Sequence, residues 1–161
     1  MIGVHPVVPN PYTLLTTIND SNVYFTVLDF KDAFFCIPLE EQSQQLFTLE
    51  WESPTTRCKM QLCWPVLPQG FKNSPTIFGN GLAKEIELWQ GKKDTTTLSQ
   101  YVDDILLGAD RTEECRETTI SLLHFWGTAG YKVSQKKVEI MKESVIYLGF
   151  EISQGERKLG I

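Results

Sequence analysis

Three aspartates in this chain stand where a carboxylate has a chemical use. Asp29 closes the apolar, β-branched run VYFTVLDF (23–30), while Asp103 and Asp104 share YVDD (101–104), between TTTLSQ and ILLGAD. Ionised Asp is costly to bury without a partner and is depleted from strands. Two readings of the pair are open. Asp is a common turn residue, so YVDD can be the tip of a hairpin and nothing more. Alternatively, the hairpin presents its carboxylates to a divalent cation. Asp29 by itself reads better as a strand-end turn or a helix cap. Together, three acids on neighbouring strand ends suit another task. Mg²⁺ is typically held by one or two protein carboxylates, with phosphates and water completing its shell. Two such ions about 3.5–4 Å apart can activate an attacking oxygen and stabilise a leaving one in phosphoryl transfer.

Such a cluster needs elements that bring residue 29 to residue 103. VYFTVLDF reads as a buried strand ending at Asp29, and KDAFFCIPL turns away from it toward the polar EEQSQQ. LFTLEW and CKMQLCW bracket the turn ESPTTR and suggest a hairpin. VLPQGFKNSP is loop-like; TIFGNGLAKEIELW then reads as a helix whose first turns Gly79 and Gly81 weaken. TLSQYVDDILLG is an apolar hairpin around the two Asp. ADRTEECRETTISLLHFWGTAG is the clearest helix, with Asp110 and Glu113 as a capping box and Gly127 or Gly130 closing it. Its stripe of Cys115, Thr119, Leu122, Leu123 and Trp126 is the core face. YKVSQKKVEIM and SVIYLGFEIS finish the chain as strands. The order predicts an α+β fold of β-α-β-β-α-β type, an antiparallel sheet with helices on one face.

Composition narrows the classes. The 161 residues suffice for one domain with a core, and 42% hydrophobic with 22% charged residues argues against disorder. No apolar stretch reaches transmembrane length, and no membrane association is expected. Cys36, Cys58, Cys63 and Cys115 form no CxxC pair and only two His are present, so packed, reduced thiols are expected rather than zinc. The net charge of −5 argues against a general nucleic-acid binder.

VLDFKDAFFCIPL, LPQGFKNSPTIF, QYVDDILL, GYKVSQKK and YLGF occur in an order and spacing that closely resemble the reverse transcriptase of retroviruses, nearest to gammaretrovirus-like and endogenous retroviral sequences. The lead-in VHPVVPNPYTLL resembles that family too, and the likeness covers nearly the whole chain. It implies a palm with a small fingers insertion: residues 1–36 as palm with its lead-in, 37–74 as partial fingers, 75–161 as palm and primer-grip hairpin. The implied activity is RNA-directed DNA polymerase, adding deoxynucleotides to a primer 3′-hydroxyl with two Mg²⁺ ions, Mn²⁺ serving as substitute.

By the same resemblance, Asp29, Asp103 and Asp104 are the catalytic carboxylates, and Asp29, Asp103, Asp104 and the Phe30 carbonyl the metal ligands. Phe30, Asp32, Ala33, Phe34, Gln69 and Gly70 bind the nucleotide. Phe34 is the steric gate that fills the space of a ribose 2′-hydroxyl; core packing is the other reading, and it suits Phe35 more naturally. Tyr101, Val102, Tyr147, Leu148 and Gly149 face primer and template. Lys136 and Lys137 are candidates for the general acid, with a solvated charge pair as an equal reading. FGNGL departs from the family pattern and puts the helix after SPTIF in doubt.

The resemblance also answers the charge objection, since much of the family's phosphate-binding charge belongs to other Pol segments. Those segments (remaining fingers, thumb and ribonuclease H) are expected partners in the parent protein, beside an RNA or DNA template with primer and deoxynucleoside triphosphates. The expected location is intracellular, cytoplasmic or within a virion. Two other functions stay open: a catalytically inactive endogenous retroviral remnant acting as a binding domain, and more distantly a two-metal nuclease or phosphohydrolase.

Overall fold

The computed structural model describes residues 9–160; the opening of the lead-in, up to residue 8, and Ile161 lie outside them. The long apolar runs pair with one another at the centre of the fold. Strand β1 (Tyr24–Asp29) lies antiparallel to β5 (Asp104–Ala109), which continues from β4 (Thr97–Tyr101) through a two-residue turn. With β6 (Glu139–Lys142) on the far side of β1, the sheet order is β4-β5-β1-β6. Helices α3 (Ser74–Leu88) and α4 (Thr112–Ala129) are the crossovers. This is the β-α-β-β-α-β arrangement, and β1 and β5 are its two central strands.

Alternation along the strands sorts their side chains into two cores. Leu28, Ile105, Leu107 and Ala109 meet Phe78 and Leu82 of α3 and Cys115, Leu122 and Trp126 of α4. Full burial of such side chains stabilises the fold by roughly 1.5–3 kcal/mol each. The predicted stripe of α4 is therefore its core face, with Leu123 half-buried beside it. Phe25, Val27 and Leu106 form the opposite face, packed against Leu15, Ile18, Val145, Tyr147 and Ile152. The two crossover helices lie on one face as expected, and the other face carries a cover of which only the SVIYLGFEIS strands were expected. That cover is α1 (Pro11–Thr16) and a three-stranded sheet of β7 (Val145–Tyr147), β8 (Phe150–Ser153) and β9 (Glu156–Leu159). Arg157 of β9 ties the two by donating to Leu15 O and Ile18 O.

Several local expectations need correction. Asp110 caps nothing: Arg111 is the N-cap of α4 without a side-chain bond. The Asp110 carboxylate instead accepts from Ser21 Oγ (3.0 Å) and Asn22 Nδ2 (2.8 Å), tying the entry of β1 to the exit of β5. Gly130, with φ of 93°, closes α4, and the last turn bonds through it. FGNGL does not break α3, which starts at Ser74 with Pro75 in its first turn, where proline costs no hydrogen bond. YKVSQKKVEIM forms a strand only from Glu139, preceded by a lone bridge between Phe30 and Val133.

Residues 37–74 leave the sheet. A one-turn helix α2 (Glu41–Gln44) precedes a hairpin of β2 (Thr48–Glu52) and β3 (Lys59–Cys63), as the sequence predicts. Its register sets Leu49 opposite Leu62 and Trp51 opposite Met60 on one face, and all four are exposed. No helix among the described residues is long and apolar enough to cross a membrane.

Candidate functional site

The three aspartates meet. Asp29 is the last residue of β1 and lies directly opposite Asp104, the first of β5. Directly paired residues point to one face, here the face away from α3 and α4. Asp103 belongs to the turn between, and its carbonyl accepts from Phe30 N at 3.4 Å. One carboxylate oxygen from each of the three lies within 4.8 Å of the others. The Phe30 N–H faces the turn, so its carbonyl, on the same edge of the chain, faces it as well. The Phe30 ring is buried edge-on against Phe78 and Trp126 and holds this strand end in place.

Three acids at this range repel. Burial pushes the Asp104 carboxyl up to about 6, the charges of Asp103 and Asp29 add to the rise, and Lys137 opposes it. The Asp103 carboxyl is raised as well, first by burial and then by Asp29, against a lowering hydrogen bond from its own backbone. Lys137 Nζ pairs with Asp29 Oδ2 at 2.9 Å, and that hydrogen bond raises the lysine. A single ammonium facing three carboxylates leaves an electrostatic deficit that a divalent cation relieves. The donors are carboxylate oxygens, hard ligands that suit Mg²⁺ or Mn²⁺.

The turn that carries the acids is strained. Val102 has φ of 54°, rare for a β-branched residue and normally left to glycine at this hairpin position. Gln100 Nε2 donates to Val102 O (3.2 Å) and to Gly79 O of α3 (3.0 Å). Gly79 lies against the turn, close enough that a Cβ there would sit 3.9 Å from Val102 Cα in ordinary contact. Tyr147 reaches the hairpin from the opposite face, its hydroxyl within 3.3 Å of Asp104 O and 3.5 Å of Ser99 O. Burial pushes its pKa well above the ordinary tyrosine value, so the hydroxyl keeps its proton as a donor.

The other expected residues scatter around this centre. Asp32, with φ of 51°, precedes a 3₁₀ turn (Ala33–Cys36) whose first N–H groups have no intrahelical acceptor. Phe34 is half-buried, its ring edge-on to Phe78 at 5.8 Å. Phe35 is the exposed one, stacked on Trp64 at 5.6 Å; core packing thus suits Phe34 better than Phe35, the reverse of the sequence reading. Gln69 and Gly70 are exposed on a loop held by Ser74 Oγ donating to Pro68 O, with Gly70 at φ of 83°. Tyr101 pairs with Asp104. Lys136 is exposed, whereas Lys137 is engaged with Asp29. Leu148 and Gly149 form the β7–β8 turn, both with positive φ. Tyr147 is only 2% exposed, so its ring is closed off from a primer and its contact is with the aspartate hairpin. Sequence reasoning passed over Gln100; a glutamine placed in an otherwise apolar strand two residues before a turn was the available signal.

The chain matches the family model described as reverse transcriptase (RNA-dependent DNA polymerase) over residues 4–152. It is 48% identical over 158 residues to the Pol polyprotein of feline endogenous virus ECE1, spanning 98% of this chain and 15% of that protein. Identity to the Gag-Pol polyprotein of baboon endogenous virus (strain M7) is 47%, spanning 98% of this chain and 9% of that one. The chain is thus a small part of the length of these relatives. Among solved structures, a foamy viral protease-reverse transcriptase in complex with an RNA/DNA hybrid has a TM-score of 0.80 at 29% identity, over 97% of this chain and 20% of the other. The same enzyme with double-stranded DNA has a TM-score of 0.79 at 30% identity, over 99% of this chain and 30% of the other. The sheet with its two helices is the palm of that fold, and this chain belongs to the reverse transcriptase (RNA-dependent DNA polymerase) family.

Proposed function

We propose that this chain carries the nucleotidyl-transfer site of an RNA-directed DNA polymerase, acting on deoxynucleoside triphosphates at the 3′ end of a primer paired with an RNA or DNA template. The observation that supports it most is the meeting of Asp29, Asp103 and Asp104 within 4.8 Å, contributed by segments more than seventy residues apart. In the proposed reaction the primer 3′-oxygen attacks the α-phosphorus, its proton leaves, and the bond to pyrophosphate breaks. A pair of Mg²⁺ ions, when bound, would lower the cost of the attacking alkoxide and of the leaving pyrophosphate. Asp29, Asp103, Asp104 and the Phe30 carbonyl would hold them.

Around that centre, the backbone of Asp32 and Ala33 would meet the triphosphate, and Gln69 and Gly70 the sugar and base. The Phe34 ring, fixed against Phe78, would exclude a 2′-hydroxyl by occupying its space. Tyr101, Val102, Leu148 and Gly149 would face primer and template. Lys137 would have to leave Asp29 to protonate pyrophosphate, while Lys136 is exposed and free of that constraint. We assign residues 37–74 to the fingers and the rest to the palm, working with the further Pol segments of a retroviral polyprotein in the cytoplasm or virion.

The test is a transplant. Residues 4–152 replace the matching segment of the feline endogenous virus polymerase, and primer extension is measured on poly(rA)–oligo(dT) with Mg²⁺. Synthesis that Asp103→Asn or Asp104→Asn reduces by at least about 100-fold is expected. A folded chimera that binds primer–template yet makes no DNA would overturn the assignment and favour the inactive remnant.

A further inference from the structure

We infer that Gln100 and Tyr147 are positioning residues that lock the aspartate turn from opposite faces of the sheet; this rests on reading the three acids as a cation site. A β-branched residue at φ of 54° persists only where its surroundings over-determine it. Here they do so on two sides. Gln100 lies opposite Ile105, whose side chain faces the helices, and its amide joins the turn carbonyl of Val102 to the α3 carbonyl of Gly79. Tyr147 comes from β7 through the other core, and its one hydroxyl proton is shared between Ser99 O on β4 and Asp104 O on β5. It therefore bridges the two strands of the hairpin just below the acids.

The hydrogen bonds of both side chains go to backbone carbonyls and not to the carboxylates. What they set is the backbone from which Asp103 and Asp104 project, and so the spacing of those oxygens from Asp29. A metal site tolerates little drift in that spacing, because a hard cation needs its oxygen ligands at a fixed distance. Loss of either clamp should leave the fold standing and let the turn relax toward less strained backbone.

The experiment is a Mn²⁺ titration of the 161-residue chain followed by water-proton relaxation, which yields affinity and number of sites separately. Gln100→Met and Tyr147→Phe each keep the size of the side chain and remove its donor. Ile152→Val, in the same core as Tyr147, controls for simple loss of stability. We expect about tenfold weaker Mn²⁺ binding in each clamp variant, in line with other outer-shell changes, at an unchanged number of sites. The Ile152→Val chain should melt earlier but bind as the wild type does. Unchanged affinity in both clamp variants, or fewer sites at unchanged affinity, would overturn the positioning role while leaving the cation site intact. A wild-type chain that binds no better than Asp103→Asn would remove the site itself, and the clamp with it.

Discussion

Proton competition at Asp104 offers a direct reading of the site's electrostatics. Its carboxyl stands at about 6 against an ordinary value of 3.8, through burial and the neighbouring charges of Asp103 and Asp29. At pH 7 the group is about 90% ionised and at pH 5 about 10%. A cation that needs this carboxylate must displace the proton, so Mn²⁺ affinity should fall about tenfold between pH 7 and pH 5, with about one proton released per ion at the lower pH. The sign for folding is opposite. A carboxyl raised in the folded state binds protons more tightly there than in the unfolded chain, so this group favours folding below its ordinary value of 3.8. That contribution is lost as pH rises through about 6. Saturating Mn²⁺ should reverse the trend, raising the melting temperature at pH 7 far more than at pH 5; at 100 times the dissociation constant the gain is about 2.7 kcal/mol. Relaxation titrations and melting curves at both pH values measure each half. An affinity that stays flat over this range would show that Asp104 is not a ligand, or that its proton is held no more tightly than in solvent.

Three other outcomes follow from the same geometry. Lys137→Met should strengthen Mn²⁺ binding several-fold at low salt, with the difference shrinking at high salt, because the 2.9 Å pair with Asp29 competes with the ion; titration at two ionic strengths checks it. In the transplanted polymerase, Phe34→Val should admit ribonucleotides while deoxynucleotide use changes less, and unaltered discrimination in primer extension would make the ring a packing residue against Phe78. Trp126→Ala should cost about 3–5 kcal/mol in denaturant unfolding, since the indole is fully buried between Phe30 and the sheet.

Much of this arrangement is written in local patterns. Strand β1 and the helix α4 follow from β-branched and 3.6-residue periodicities, and both proved close to their predicted spans. Asp110 was misread because a capping motif is a local signal, while its actual partners, Ser21 and Asn22, sit almost ninety residues away. Distance also hid the second core, where Leu15 and Ile18 meet Val145, Tyr147 and Ile152 from the other end of the chain; ERKL (156–159) is charged and carries no strand periodicity, and it pairs because β8 beside it offers an edge. Gly79 and Gly81 look like helix breakers in sequence, yet Gly79 is where α3 closes on the turn. At the site, the residue types announced carboxylate chemistry, but the clamp by Gln100 and Tyr147 depends on which strand faces which core. That is decided only when the sheet forms.

The placement of Asp29 and Asp104 on the two central strands sets how they should behave in amide exchange. Strands β1 and β5 each have a bonded neighbour on both sides, so their interior amides should exchange only when the whole sheet opens, at the full free energy of unfolding. The hairpin of β2 and β3 has no such support: every residue of both strands is exposed, and a lone two-stranded ribbon is marginal by itself. Its amides should exchange many times faster through openings that leave the sheet closed. The strands that carry Asp29 and Asp104 at their ends should therefore stay paired while the exposed hairpin opens and recloses many times.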